Sequence, residues 1–178
     1  MRKNFEIEVQ WRAFPLHPET PEAGLSMKEV YAARIIDIPR AMARLKNVAE
    51  ELGLPLGERK KTYNSRRAQE LGKWAESLGK GDEFHDAIFH AYFADGKNIA
   101  RATVLAAIVK GMGFSEKEVR EVLKKGTFQD AVDSDWELAY QLGISSVPTF
   151  VIDDEAVVGA QPYEVLEQFL LEKGVKKK

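Results

Sequence analysis

The chain has 178 residues, 44% of them hydrophobic, and a formal net charge of −2 at pH 7. That is enough apolar material for one packed domain, and charges of both signs are interspersed, which excludes a one-signed field for gripping nucleic acid or anionic lipid. There is no cysteine, so the chain cannot by itself supply the thiolate that attacks a disulfide sulfur.

No apolar run approaches the roughly 18–20 residues that span a bilayer. The segment Met1 to Glu8 has neither an apolar h-region nor a small-residue cleavage site, so a cytoplasmic location is expected. From Phe5 to Ala13 the sequence alternates strictly, with Phe5, Ile7, Val9, Trp11 and Ala13 on one face, and this predicts a half-buried strand. The proline-rich stretch from Phe14 to Gly24 reads as a loop.

Ser26 and Glu29 form a capping box. The helix they open is expected to reach Leu52, with Gly53 as its stop and Pro39 as a candidate divider. Asn64 is placed as the cap of a helix through Leu78, with Ala68, Leu71, Trp74, Ala75 and Leu78 inward. Asp82 is placed as the cap of the next, through Ala94, with Phe84, Ile88, Ala91 and Tyr92 inward. Thr103 to Met112 is largely apolar, and Ser115 with Glu118 makes a second capping box. Thr127 is expected to cap a helix through Leu142, with Phe128, Ala131, Val132, Ala139 and Leu142 on its apolar face. No strand is expected between Gly24 and Gly143.

The C-terminal stretch carries the densest signal. Thr149 to Ile152 is a short β-branched and aromatic run, Asp153-Asp154-Glu155 reads as a turn, and Ala156 to Gly159 as a returning strand. Val147-Pro148 stands directly before the first strand, in a tight turn that admits a cis bond. Pro162 opens a last helix. The lysines at 173 and 176–178 read as a frayed, solvated tail.

Other clusters read as structural. His85 and His90 lie five apart, about 140° around a helix, and His17 sits in a distant loop, so no metal site is expected. The acidic pairs Glu50-Glu51, Asp133 with Asp135, and Asp153-Asp154 are assigned to polar helix surface and turn chemistry. Gly79-Lys-Gly81 and Gly111-Met-Gly113 lack the strand and Gly-Lys-Ser/Thr pattern of a phosphate loop.

The segment Val147-Pro-Thr-Phe-Val-Ile-Asp153 followed by Val157-Val-Gly-Ala-Gln-Pro162 resembles the DsbA-like thioredoxin-fold family, in its FrnE-like and 2-hydroxychromene-2-carboxylate isomerase-like branch. The likeness continues through Trp11 to Pro18, Tyr63-Asn64-Ser65 and Ala87 to Phe93. It implies an α/β, thioredoxin-like single domain over 1–178, with core elements in 5–24 and 143–173 and a helical insertion over 25–142. In redox members of the family a Cys-x-x-Cys pair opens the first helix. Here the Phe5–Ala13 segment matches the second core strand, so the first βα unit and its cysteine pair are expected to be missing and no catalytic residue is assigned.

The resemblance places substrate binding at Val147, Pro148, Thr149 and Asn64, with extended polypeptide as the partner and no cofactor of the chain's own. The rival reading is a glutathione-dependent isomerase or transferase in which Asn64, Val147 and Asp153 or Asp154 touch the tripeptide. A third is a non-catalytic module that oligomerises or binds clients. Loss of a central strand would leave its two neighbours with unpaired backbone groups. The remedies are direct pairing of those strands, a second copy over the edge, or a separately supplied βα unit. A homodimer or larger assembly is therefore expected, to be checked by light scattering.

Overall fold

The computed structural model describes residues 1–32 and 37–178. Its elements run β1 (Leu25–Ser26), α1 (Met27–Val30), α2 (Ile38–Glu51), β2 (Lys61–Thr62), α3 (Arg66–Ser77), α4 (Gly81–Phe89), then a π-helical turn His90–Ala94. After these come α5 (Ala102–Lys110), α6 (Glu116–Lys125), α7 (Gln129–Gln141), β3 (Thr149–Ile152), β4 (Glu155–Val158) and α8 (Tyr163–Glu172). The described chain divides into two compact units, residues 17–132 and residues 1–16 with 133–178.

In the 17–132 unit the three-and-four spacing does what amphipathic spacing should. Ala68, Leu71, Trp74 and Ala75 of α3 meet Phe84 and Ile88 of α4, Leu105, Ala106 and Val109 of α5, and Val119 of α6 in one buried cluster. Trp74 packs against Phe114 with ring centroids 4.6 Å apart and ring planes tilted by 42°. Both capping boxes form. Ser26 and Glu29 close α1, and Ser115 accepts from Glu118 N while Glu118 reaches back to Ser115 N.

Local details differ from the sequence reading. The helix opened by Ser26 stops at Val30, and α2 begins afresh behind an Asp37 cap with Pro39 in its first turn, where its missing N–H costs nothing. The sequence-predicted helical path between them includes residues 33–36, outside the described residues. Leu78 lies past the end of α3 and is exposed, because the helix has ended at Ser77. Asp82 sits in the first turn of α4 and not at its cap, which is Lys80. The α-helix expected to run to Ala94 changes to π geometry at His90. Likewise α7 starts at Gln129, two residues after Thr127, and Ala131 and Leu142 are exposed.

β1 and β2 overturn the expectation of no strand between Gly24 and Gly143. They pair antiparallel, Leu25 with Thr62 and Ser26 with Lys61. Strands of two residues leave no periodic signal, and it is the surrounding loop that brings them together. Gly24 makes the approach feasible. A Cβ there would stand 2.5 Å from the Tyr63 ring, and its φ of +75° is one that other residues rarely adopt.

In the other unit, the Phe5–Ala13 strand does not form. Phe5 makes one antiparallel bridge with Lys177, flanked by Glu6 N to Lys176 O (2.9 Å) and Lys178 N to Asn4 O (3.0 Å). Beyond it the segment joins no strand among the described residues, and Val9 and Trp11 are exposed. An alternating sequence needs a neighbouring strand to become a ladder, and no described strand lies alongside it. The same bridge corrects the reading of the C-terminal lysines as a frayed tail. Lys177 pairs with Glu167 at 2.7 Å, which raises its ammonium pKa, and Lys178 Nζ donates to Arg2 O at 2.8 Å.

Candidate functional site

The candidate site is the turn into β3. Gly143, at φ +65°, closes α7, and Ile144 N returns to Ala139 O at 2.9 Å. The loop then passes Ser145, Ser146 and the Val147-Pro148 peptide, which is cis. The Thr149 hydroxyl donates to Ser146 O at 2.7 Å, and Gly159 N donates to Pro148 O at 2.7 Å, so the loop is tied to both strands of the hairpin.

Register decides which backbone groups are available. β3 pairs with β4 from Thr149 with Val158 to Ile152 with Glu155, one residue earlier on the return strand than the Ala156–Gly159 reading. The turn is Asp153-Asp154 alone, with Asp153 at φ +54°. With Gly159 bonded to Pro148, the alternation of an antiparallel ladder gives Phe150 and Ile152 the bonds to β4 and turns the N–H and C=O of Thr149 and Val151 to the other edge. Among the described residues no strand occupies that edge. Val147, Phe150 and Val151 are 44%, 41% and 39% exposed, so both faces of β3 and the loop before it offer apolar surface.

The hairpin is braced from behind. Lys173, just past α8, pairs with Glu155, and that contact raises the Lys173 ammonium above its ordinary value of 10.5. Tyr163 Oη accepts from Asn4 Nδ2 at 2.6 Å.

Asp135 departs from the sequence reading. Expected with Asp133 on a polar helix surface, it is 2% exposed. Its carboxyl oxygens accept from Arg12 Nη1 at 3.1 Å and Ala13 N at 2.8 Å, pinning the N-terminal segment to α7. A signal is present in the sequence, because position 135 completes the three-and-four series 128, 132, 135, 139, 142 of the apolar face. A carboxylate in such a series is buried for a partner.

Of the four residues assigned to substrate binding, Val147, Pro148 and Thr149 are contiguous at the hairpin. Asn64 belongs to the 17–132 unit and its amide is already committed. Nδ2 donates to Pro18 O (2.8 Å) and Thr20 O (3.0 Å), and Oδ1 accepts from Arg66 N (2.8 Å). Asn64 thus serves the first turn of α3 from one position before its Ser65 cap.

The histidines sit apart. His85 Nε2 lies 3.3 Å from Glu76 Oε1, His90 pairs with Asp95, and His17 with Glu19. Among the described residues no three His, Cys, Asp or Glu side chains converge on a metal position. Burial pushes the Glu76 carboxyl upward, but the His85 hydrogen bond and the Lys73 ammonium at 3.2 Å outweigh it and hold it below its ordinary 4.5. A depressed carboxylate contributes stability above its unfolded pKa and loses it as pH falls through the folded one. The melting temperature is therefore expected to fall from about pH 5 toward pH 3 more steeply in the native chain than in Glu76→Gln, the two converging at the acid end. Parallel curves across that range would show that the pairing contributes nothing.

A short hairpin entered through a cis-proline, followed by a helix and accompanied by a block of helices, defines a thioredoxin-like domain with a helical elaboration. The model of the DsbA-like thioredoxin domain matches residues 1–171. The chain belongs to that family. It is 25% identical over 178 residues to protein YwbO of Bacillus subtilis (strain 168), covering 98% of this chain and 86% of that one. Its fold superposes with a TM-score of 0.84 on SCO1869 of Streptomyces coelicolor, described as a probable DsbA oxidoreductase, at 29% identity over 94% of this chain and 75% of that one. A 2-hydroxychromene-2-carboxylate isomerase superposes with a TM-score of 0.64 at 20% identity, over 77% of this chain and 64% of that one, a likeness of fold. No helix among the described residues is long and apolar enough to cross a membrane.

Proposed function

We propose that this chain is a polypeptide-binding member of the disulfide-oxidoreductase family, holding an extended client along the open edge of β3 beside Val147, Pro148 and Thr149. The observation that carries the reading is the outward backbone of Thr149 and Val151, a hydrogen-bonding edge bordered by exposed Val147 and Phe150. An unpaired edge of this kind is a template for strand addition, in which main-chain bonds give affinity and alternate side chains give preference. In this reading 5–24 and 143–173 supply the thioredoxin-like core elements and 25–142 the helical insertion, and the protein works in the cytoplasm. Thiol–disulfide exchange requires a thiol from outside this chain, which has no cysteine. The same edge would accept a separately supplied βα unit or a second copy. The glutathione reading gains no support from Asn64, whose amide is engaged by backbone groups.

Val151→Pro is the direct test. It removes an N–H that β4 does not use and obstructs an added strand, while proline is tolerated on an edge. Binding of a reduced, carboxymethylated polypeptide, followed by fluorescence anisotropy, is expected to weaken at least about tenfold with the melt little changed. Equal binding by both proteins would remove the edge from the argument. The chain alone is also expected to give no turnover in insulin reduction, and turnover would overturn the dependence on an external thiol.

A further inference from the structure

The connector before β2 carries a cation that is held in place but unspent. The Arg59 guanidinium carbon lies 4.5 Å from the centroid of Tyr92 and 5.3 Å from that of Phe93. It has no hydrogen-bond or ion-pair partner among the described residues. Two other cations that lie over rings differ. Lys80 donates to Met112 O and Lys177 pairs with Glu167. Arg59 is also well positioned by its backbone. Gly57 N donates to Phe93 O at 2.9 Å, and a Cβ at Gly57 would stand 2.0 Å from Ala94 O, so the connector lies directly against the π-helical turn.

That turn sits at the end of an aromatic row. His85, Phe89 and Phe93 follow one another at four-residue spacing, with centroids 6.0 Å and then 6.2 Å apart. Phe89 is 46% and Phe93 37% exposed. A guanidinium seated over ring faces and engaged by no acceptor among the described residues keeps N–H groups for a carboxylate, and its planar fork is pre-organised so that little rotamer freedom is lost per bond formed. The row is an open surface, and small ligands are generally held in concave sites that enclose most of their area. An open row of rings ending in a cation fits a chain laid along it.

We propose that Arg59 with Phe89 and Phe93 forms a docking site for an acidic–aromatic polypeptide segment, one carboxylate on the guanidinium and flanking apolar side chains on the rings. The site lies in the 17–132 unit and does not depend on the edge of β3. The test uses the intact chain and a short peptide with Asp between two Phe residues, beside the same peptide with Asn. NMR titration should move the Phe89 and Phe93 ring signals with the Asp peptide and about tenfold more weakly with the Asn peptide. Arg59→Gln should weaken Asp-peptide binding about tenfold and erase the Asp/Asn preference, and Arg59→Lys should fall between because it keeps charge without the fork. Phe89→Ser should lose binding of both peptides while the chain still melts cooperatively and Val151-edge binding stays unchanged. Added salt should weaken the Asp peptide selectively. Equal affinity for Asp and Asn peptides, ring signals that do not move at millimolar peptide, or undiminished binding by Arg59→Gln would each overturn the proposal.

Discussion

Phe84→Ala is expected to destabilise the protein by about 3–5 kcal/mol. Phe84 is 1% exposed and belongs to the cluster that joins α3, α4, α5 and α6. The cost combines lost transfer energy with the void left behind, and the void cannot easily close here. One wall is the α3 backbone at Gly72, where an added Cβ would stand 3.5 Å from Phe84 Cε1, and a helix backbone does not collapse into a gap. Urea unfolding followed by circular dichroism should show the midpoint falling with little change in slope. A loss below about 1 kcal/mol would mean that the cluster repacks and is less rigid than its burial suggests. Phe84→Leu, which keeps most of the volume, should recover a large part of the loss.

Asp135→Ala is expected to cost about 2–4 kcal/mol, through a different mechanism. The carboxyl group accepts from the Ala13 amide and from Arg12, and its removal takes this acceptor from the Ala13 N–H. The guanidinium is 55% exposed and can turn to water, so most of the cost comes from the amide and from the space left by a buried side chain. Asp135→Asn keeps an acceptor for Ala13 N and should cost less than alanine. Arg12→Ala should cost less than Asp135→Ala, about 1–2 kcal/mol, because the buried carboxylate it leaves still accepts from Ala13 N. Amide hydrogen exchange gives the spatial readout. Protection at Ala13 should disappear in Asp135→Ala while protection in α3 and α5 persists. If Arg12→Ala proved as costly as Asp135→Ala, the ion pair and not the amide bond would be the anchor.

The contrast between these two residues shows where a sequence is legible. Phe84 stands in a helix with apolar partners at three- and four-residue spacing, and its burial follows from that spacing without any knowledge of the neighbours. Asp135 has the same positional credentials but the opposite chemistry. Its place on the apolar face is legible, whereas its partners, Arg12 and Ala13, lie at the far end of the chain and depend on how the N-terminal segment runs. The strand expected over Phe5–Ala13 does not form, for a related reason. Alternation specifies which side chains share a face, but a ladder needs a second backbone beside it, and the described residues provide one only at Phe5. Asn64 reads from the sequence as a helix-capping residue or a ligand contact. Its two additional bonds, to Pro18 and Thr20, come from a loop whose course no local pattern specifies.

What the sequence determined by itself is the set of helices α3 to α8 and the hairpin, to within a few residues at their ends. It also determined both capping boxes, the position of Val147-Pro148 before β3, and the absence of any thiol. These follow from local causes: side-chain periodicity, caps, turn residues and composition. The tertiary structure alone decided which edge of β3 stays open, the β1–β2 pairing, the tie between Phe5 and Lys177, the burial of Asp135 and the seating of Arg59 over Tyr92 and Phe93. Each of these joins backbone or side-chain groups from separate stretches of chain, and a hydrogen bond or a ring contact is fixed only when both partners have been brought within a few ångströms of one another.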